Sequence, residues 1–242
     1  METSWSDDNA LPYHLKQWTQ TKESTISFID FISPKVKEGC NFLDLGSGGG
    51  AATYRLSQIN QDSFWTGIDL DLNLINIAND LTQQKGIQNL IFSQGDLTRF
   101  SGQSQFDGVV SLQTMSWLND YRPAFSNVFR NLQPEWFAVT SLFFEGDISA
   151  YTNIVEHKTN RLIHYNTYSI PEVTRFSKQF GYELSRKQCF ELPIDLPKPI
   201  DQDVMGTYSI KLDTSENPSR LQISGPLLMN WYMLLFQKSI EL

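Results

Sequence analysis

Basic charge, cysteine and histidine are all scarce in this chain of 242 residues. Lys and Arg together number 19 against 27 Asp and Glu, which leaves a formal net charge of −8 at pH 7. Proteins that grip nucleic acid neutralise phosphates with basic side chains, so this balance argues against a nucleic-acid partner. It argues equally against docking on an anionic membrane surface. The only cysteines, Cys40 and Cys189, cannot make a disulfide framework and have no metal-ligand spacing. They read as small buried hydrophobes, and no metal is expected. The start, Met1-Glu2-Thr3-Ser4-Trp5, has neither the basic nor the apolar region of a signal peptide. The densest apolar run, Leu227 to Phe236, is about ten residues long and broken by Asn230, where a membrane span needs about 20. The chain therefore reads as soluble and cytoplasmic, with its oligomeric state unreadable.

Hydrophobic residues make up 40% of the chain, enough for an ordinary core in one domain. The first ten residues are polar and are expected to be poorly ordered. Leu15, Trp18, Ile26, Ile29 and Ile32 fall near a 3.6-residue period and predict a helix from Leu11 to Ile32, closed by Pro34 and Gly39. Short apolar runs then predict strands at Asn41–Leu45, Phe64–Ile68, Asn89–Ser93, Phe106–Ser111 and Trp136–Phe144. Helices are expected between them at Ala51–Ile59, from Asp71 to Lys85, and at Tyr121–Leu132. Alternation repeating about every 20 to 25 residues implies a parallel sheet covered by helices on both faces. After Phe144 the pattern changes. Gly146–Tyr168 reads as an inserted hairpin turning at Asn160-Arg161. Ser169-Ile170-Pro171-Glu172 is a capping box opening a helix that Gly181 closes. Leu184–Leu192 and Leu221–Phe236 read as two strands, joined by a long irregular connection rich in proline.

The chemistry lies in Asp44-Leu45-Gly46-Ser47-Gly48-Gly49-Gly50-Ala51. A strand running through a tight glycine turn into a helix lets backbone approach a ligand that side chains would block. Gly46, Gly48 and Ala51 also satisfy the G-x-G-x-x-A pattern of dinucleotide sites. Two further signals are in place: Asp69, ending the second strand where a carboxylate can accept both hydroxyls of a ribose, and Asp96, following Gly95 after the third. Carboxyl ends of successive strands converge on one crevice in such a sheet, so these residues should share a groove.

On these residues the chain resembles the class I S-adenosylmethionine-dependent methyltransferases. Asp44 to Gly50 looks like that family's first motif, Gly67-Ile68-Asp69-Leu70 resembles the second, Ser93-Gln94-Gly95-Asp96-Leu97 the third, and Phe106 to Ser111 the fourth. The resemblance covers roughly Phe42 to Phe144. It implies a Rossmann-like, doubly wound, seven-stranded, mostly parallel sheet with an antiparallel C-terminal strand and an inserted lid. The expected organisation is one domain over 1–242, with a helical cap over 1–39, a cofactor-binding core over 40–144, and substrate-side insertions at 145–168 and 193–220. It implies S-adenosylmethionine as cofactor. Gly46, Ser47 and Gly48 would cradle the methionine part, with Asp44 shaping the loop or reaching the amino group. Asp69 would hold the ribose, and Leu70 would pack on adenine. Asp96 and the Leu97 backbone would read the adenine edge, and Leu112 and Gln113 would lie near the sulfonium. One departure is the Leu132-Gln133-Pro134-Glu135-Trp136 stretch, where the family often has Pro-Gly-Gly.

Competing readings are a nicotinamide dehydrogenase and a catalytically silent binding module on the same fold. Asp44, the Gly95-Asp96 pair and the lack of any Tyr-x-x-x-Lys speak against the dehydrogenase. Methyl transfer to a small-molecule acceptor, at oxygen, is the reading, with N-methylation or a protein acceptor as alternatives. Of His14, His157 and His164, the last is the expected general base, with Asp120 and Glu145 as comparable carboxylates. Trp18, Trp117 and Tyr165 are expected to wall the acceptor pocket, under a lid made aromatic by Tyr151, Tyr165, Tyr168 and Tyr208.

Overall fold

A computed structural model describes residues 11–102, 105–158, 160–197, 207–212, 219–224, 227–228 and 231–238; the expectation for the first ten residues lies outside these. The chain begins with α1 (Leu11–Gln17) and α2 (Glu23–Ile32), where the periodicity had predicted one helix. The break follows from Thr19, whose hydroxyl donates to the Lys16 carbonyl at 3.0 Å and closes the first helix. The break also turns the apolar face: Trp18 and Ile32 are buried, but Leu15 and Ile26 are exposed.

Then come β1 (Asn41–Leu45), α3 (Ala51–Ser57), β2 (Phe64–Asp69), α4 (Leu72–Gln84), β3 (Leu90–Gln94) and β4 (Gly108–Leu112). The Asp71 side chain caps α4 by accepting from the Asn73 and Leu74 amides. α5 (Arg122–Asn127) does not run on as an α-helix to Leu132: residues 128–132 form a π-helical turn that ends at left-handed Gln133. β5 (Trp136–Phe144) follows. Then a hairpin of β6 (Asn153–Glu156) and β7 (Arg161–His164) turns near left-handed Asn160.

β8 (Tyr168–Ser169) pairs with β5 and leads into α6 (Ile170–Lys178), where the Ser169 hydroxyl caps the Glu172 amide. The reciprocal half of the expected capping box is not made, because the Ser169 amide donates to the Ser149 hydroxyl and the Glu172 carboxylate accepts from Tyr121 and Arg122. β9 (Tyr182–Phe190) precedes a small antiparallel sheet of β10 (Thr207–Leu212), β11 (Ser219–Ser224) and β12 (Leu227–Leu228), and β13 (Trp231–Lys238) closes the described chain. The expected irregular connection is thus partly stranded. The single strand expected over Leu221–Phe236 is three, because β11 pairs back on β10 before the chain enters the main sheet.

The main sheet runs β3-β2-β1-β4-β5-β13-β9, with β8 beside the end of β5. β1 to β5 are parallel, and β13 runs antiparallel between β5 and β9. Along β5 the side chains alternate between the two faces. Phe137 and Val139 join one core with Phe125, Phe129 and Phe236; Trp136 and Ala138 join the other with Phe42 and Trp65. Fully burying such an aromatic contributes about 1.5–3 kcal/mol, so the sheet is pinned from both sides. The cysteines depart from expectation, since Cys40 is half-buried and Cys189 exposed. Among the described residues no helix is long and apolar enough to cross a membrane, and no group of three metal-ligating side chains converges.

Candidate functional site

Strand order reverses between β1 and β4, and in open α/β sheets ligands bind outside the carboxyl ends at that point. Gly46 continues β1, and Gln113 and Thr114 continue β4. The two ends are tied together: the Ser111 hydroxyl donates to the Leu45 carbonyl at 2.7 Å, and the Thr114 hydroxyl to the Gly46 carbonyl at 3.2 Å. Gly46 has a left-handed φ of 79°, and a Cβ there would stand 2.5 Å from the Thr114 side chain. Gly50, at φ 82°, begins α3 against Phe92 and Ala78, with no room for a Cβ. The loop is therefore a bare backbone cradle because its neighbours close in on it.

The acidic residues hold this cradle. Asp69 Oδ2 accepts from the Gly48 amide at 2.8 Å and Oδ1 from the Asp71 amide at 3.0 Å. An ionised carboxylate has about four lone-pair sites, so two remain for a ligand's hydroxyls. Burial pushes the Asp69 carboxyl above its usual range, against the pull of those two amides and of His14 nearby. Asp44 is fully buried, and desolvation raises it to about 7 although the Thr53 hydroxyl donates to Oδ2 at 2.6 Å. Among the described residues Asp44 Oδ1 and the Ser47 hydroxyl are buried without a hydrogen-bond partner.

Asp96 is more committed to the protein. Its Oδ1 accepts from the Thr98 amide at 2.9 Å and hydroxyl at 2.7 Å, while Oδ2 pairs with Arg99 at 3.1 Å. Desolvation opposes these contacts but is outweighed, so the carboxyl titrates below its usual range. Leu97 turns its side chain into the core, and Leu70 stands 62% exposed at the mouth of the crevice. Leu112 is half-buried, and Gln113 adopts a left-handed φ of 57°.

The acceptor-side residues separate. Trp117 and Tyr165 meet with ring centroids 4.7 Å apart beyond the end of β4. Trp18 does not join them. It is 4% exposed, its indole N–H donates to the Gly49 carbonyl at 2.7 Å, and its ring stacks on Tyr54, so it clasps the glycine loop from behind. His164 also departs from expectation. It alternates with buried Ile163 and Tyr165 and so faces the opposite way, its Nδ1 2.7 Å from Asn153 Oδ1 on the exposed side of the hairpin. Asp120 is bound to Arg122 and Glu145 to Lys187. Tyr168 is fully buried, so of the four lid tyrosines only Tyr151 is broadly exposed.

Three residues at the crevice went unpredicted. The His14 ring lies against the loop, 3.5 Å from where a Cβ on Gly48 would stand. Thr114 ties β4 to Gly46, and Lys22 donates to the Gln113 side chain at 3.2 Å. Thr114 was findable, since it lies two residues past β4; the other two depend on how the leading helices dock.

A model of the methyltransferase domain matches residues 36–179, more than half of the chain. The chain belongs to the methyltransferase-domain family. The dehydrogenase reading of the glycine loop is thereby set aside. The cofactor that accompanies this fold is S-adenosylmethionine, and the residues fit it. They supply a cradle closed to side chains, a half-free Asp69 carboxylate for hydroxyls, and buried acidic and hydroxyl oxygens beside the loop for a cationic ligand. A Bacillus cereus relative, named malonyl-[acyl-carrier protein] O-methyltransferase, is 26% identical over 124 residues, covering 50% of this chain and 45% of the relative. The match thus spans less than half the relative's length. Among solved structures, the methyltransferase-domain chain is similar to the [4+2]-cyclase SpnF, with a TM-score of 0.63 and 16% identity over 89% of this chain and 82% of the other. It is also similar to a coclaurine N-methyltransferase bound to N-methylheliamine and SAH, with a TM-score of 0.59 and 12% identity over 70% and 52%. At these identities the structural likeness concerns the fold.

Proposed function

We propose that this chain transfers a methyl group from S-adenosylmethionine to an oxygen of a small-molecule acceptor. The observation that carries the reading is the Gly48–Asp69 hydrogen bond, which joins the cradle after β1 to the carboxylate after β2. S-adenosylmethionine, when bound, supplies a methyl on a sulfonium with a good leaving group. The protein then needs chiefly to align the acceptor and exclude water.

In this reading Gly46, Ser47 and Gly48 hold the methionine end, with Asp44 beneath them as the loop's buried anchor. Asp69 takes the ribose hydroxyls, Leu70 covers the adenine, and Asp96 and the Leu97 backbone face its edge. Leu112 and Gln113 border the reacting end. The Trp117–Tyr165 pair forms the acceptor wall, and the buried Tyr165 ring keeps water from it. His164, turned outward, takes no part. Oxygen is favoured by the curated relative, whose name specifies O-methylation of a malonyl group on a carrier protein. An acceptor delivered on such a carrier is compatible with the chain's acidity only where the contact is not dominated by charge, since −8 repels an acidic partner.

Calorimetry with S-adenosylhomocysteine tests the cofactor, and labelled S-adenosylmethionine with oxygen, nitrogen and malonyl-thioester acceptors tests the transfer. Heat with S-adenosylhomocysteine and label on an oxygen acceptor are expected. Heat with NAD and none with S-adenosylhomocysteine would overturn the reading.

A further inference from the structure

Asp69, bonded to the glycine loop, and Asp44 close to it suit a ligand that is positive at amine and sulfonium, yet such a ligand also carries a carboxylate. That group needs a cation, and the described residues offer one in an unusual setting. Lys22 precedes α2 and is half-buried. Its ammonium donates to Gln113 Oε1 at 3.2 Å and lies 4.9 Å from the centre of the Tyr13 ring. Among the described residues no carboxylate pairs with it, so two of its three N–H donors are uncommitted.

The position is set from both sides. Gln113 Nε2 donates to the Ser24 hydroxyl at 2.7 Å, and the Gln113 amide N–H to the Thr140 carbonyl at 2.7 Å. Its left-handed backbone, at φ 57°, is a conformation that non-glycine residues rarely hold without a surrounding reason. Thr114, the next residue, contacts Gly46. The ammonium is therefore bonded to the residue that precedes the cradle's Thr114 tie, past the end of β4 at the strand-order reversal, and is held by a neutral amide that a ligand anion could join.

We propose that Lys22, oriented by Gln113 and Ser24, is the carboxylate-binding cation of the crevice. This rests on the methyltransferase reading above. The carboxylate belongs either to the amino-acid end of the cofactor or to an anionic acceptor such as a malonyl thioester. Both present the same chemistry to the ammonium, and ligand binding separates them.

Calorimetry of wild type, Lys22→Gln and Lys22→Arg with S-adenosylhomocysteine, 5′-methylthioadenosine and, in the presence of S-adenosylhomocysteine, malonyl-pantetheine decides the matter. If the cofactor end is held, Lys22→Gln loses about ten- to hundredfold in S-adenosylhomocysteine affinity, the scale of a charge-assisted hydrogen bond. Affinity for 5′-methylthioadenosine, which has no amino-acid end, stays the same. If the acceptor is held, the loss falls on malonyl-pantetheine and S-adenosylhomocysteine is unaffected. In either case Lys22→Arg restores most of the affinity, and the melting temperature of Lys22→Gln matches wild type. Equal affinities of wild type and Lys22→Gln for all three ligands overturn the Lys22 assignment while leaving the methyltransferase reading intact. Wild-type protein that binds none of the three overturns both.

Discussion

The Gly48 amide donates to Asp69 Oδ2 across 2.8 Å, although 21 residues separate the two in sequence. β1 and β2 lie in parallel register, Leu45 beside Ile68, so the turn leaving one strand meets the last residue of the other. The bond makes Asp69 a strut of the loop and leaves lone pairs with which, in the proposed function, it takes the ribose hydroxyls.

Asp69→Ala should therefore act twice, removing a hydroxyl acceptor and freeing the Gly48 amide. S-adenosylhomocysteine binding is expected to weaken by roughly 1–3 kcal/mol, the scale of losing a charge-assisted hydrogen bond. Titration calorimetry measures this, and an unchanged affinity removes Asp69 from the site.

Gly50→Ala combines a left-handed backbone with a side chain 2.6 Å from Phe92 Cζ and 2.7 Å from Ala78 Cβ. Both neighbours belong to the core, so neither yields easily. A loss of about 2–4 kcal/mol in unfolding free energy is expected, read from urea denaturation. A loss below half a unit of that scale would mean the loop relaxes away from Phe92.

Trp18→Phe keeps an aromatic ring beside Tyr54 but removes the N–H that meets the Gly49 carbonyl, together with part of a buried indole. The orphaned carbonyl should cost about 1–2 kcal/mol in stability, with weaker cofactor binding because the loop loses its rear clasp. Equal melting temperatures and equal affinity for S-adenosylhomocysteine would show the clasp to be idle.

Asp44 gives stability a pH dependence. Burial raises its carboxyl from 3.8 to about 7, so between those values the folded protein keeps a proton that the unfolded chain releases. Its contribution is full below the lower value and is lost as pH rises through the upper one. Asp44→Asn should flatten the fall in melting temperature over that window. A slope identical to wild type would mean that Asp44 is ionised in the fold.

Much of the candidate site's placement was legible because its signals are local. A glycine loop after a short apolar run, and an acid at the end of the next strand, follow from how strands enter a parallel sheet, and Gly46, Gly48, Asp69 and Asp96 all stand at the expected strand ends. The helix start at Ser169 was legible for the same reason, since its hydroxyl and the Glu172 amide that it caps lie three residues apart. His164 was misjudged because a one-residue step in a strand reverses its face, and only the pairing with Asn153 shows which face is wet. Trp18 was misjudged because its partner, Gly49, is 31 residues away.

The sequence by itself determined the layered α/β architecture and the acidic, glycine-lined rim of the crevice. Both depend on periodicity and spacing over a few residues. Only the tertiary structure decided what closes that crevice. The break at Thr19 lets α1 and α2 fold over the sheet separately, bringing His14 against the loop and Lys22 onto Gln113. That docking is fixed by long-range packing of Trp18, Phe28 and Phe31 into the shared core, which no short stretch of sequence encodes.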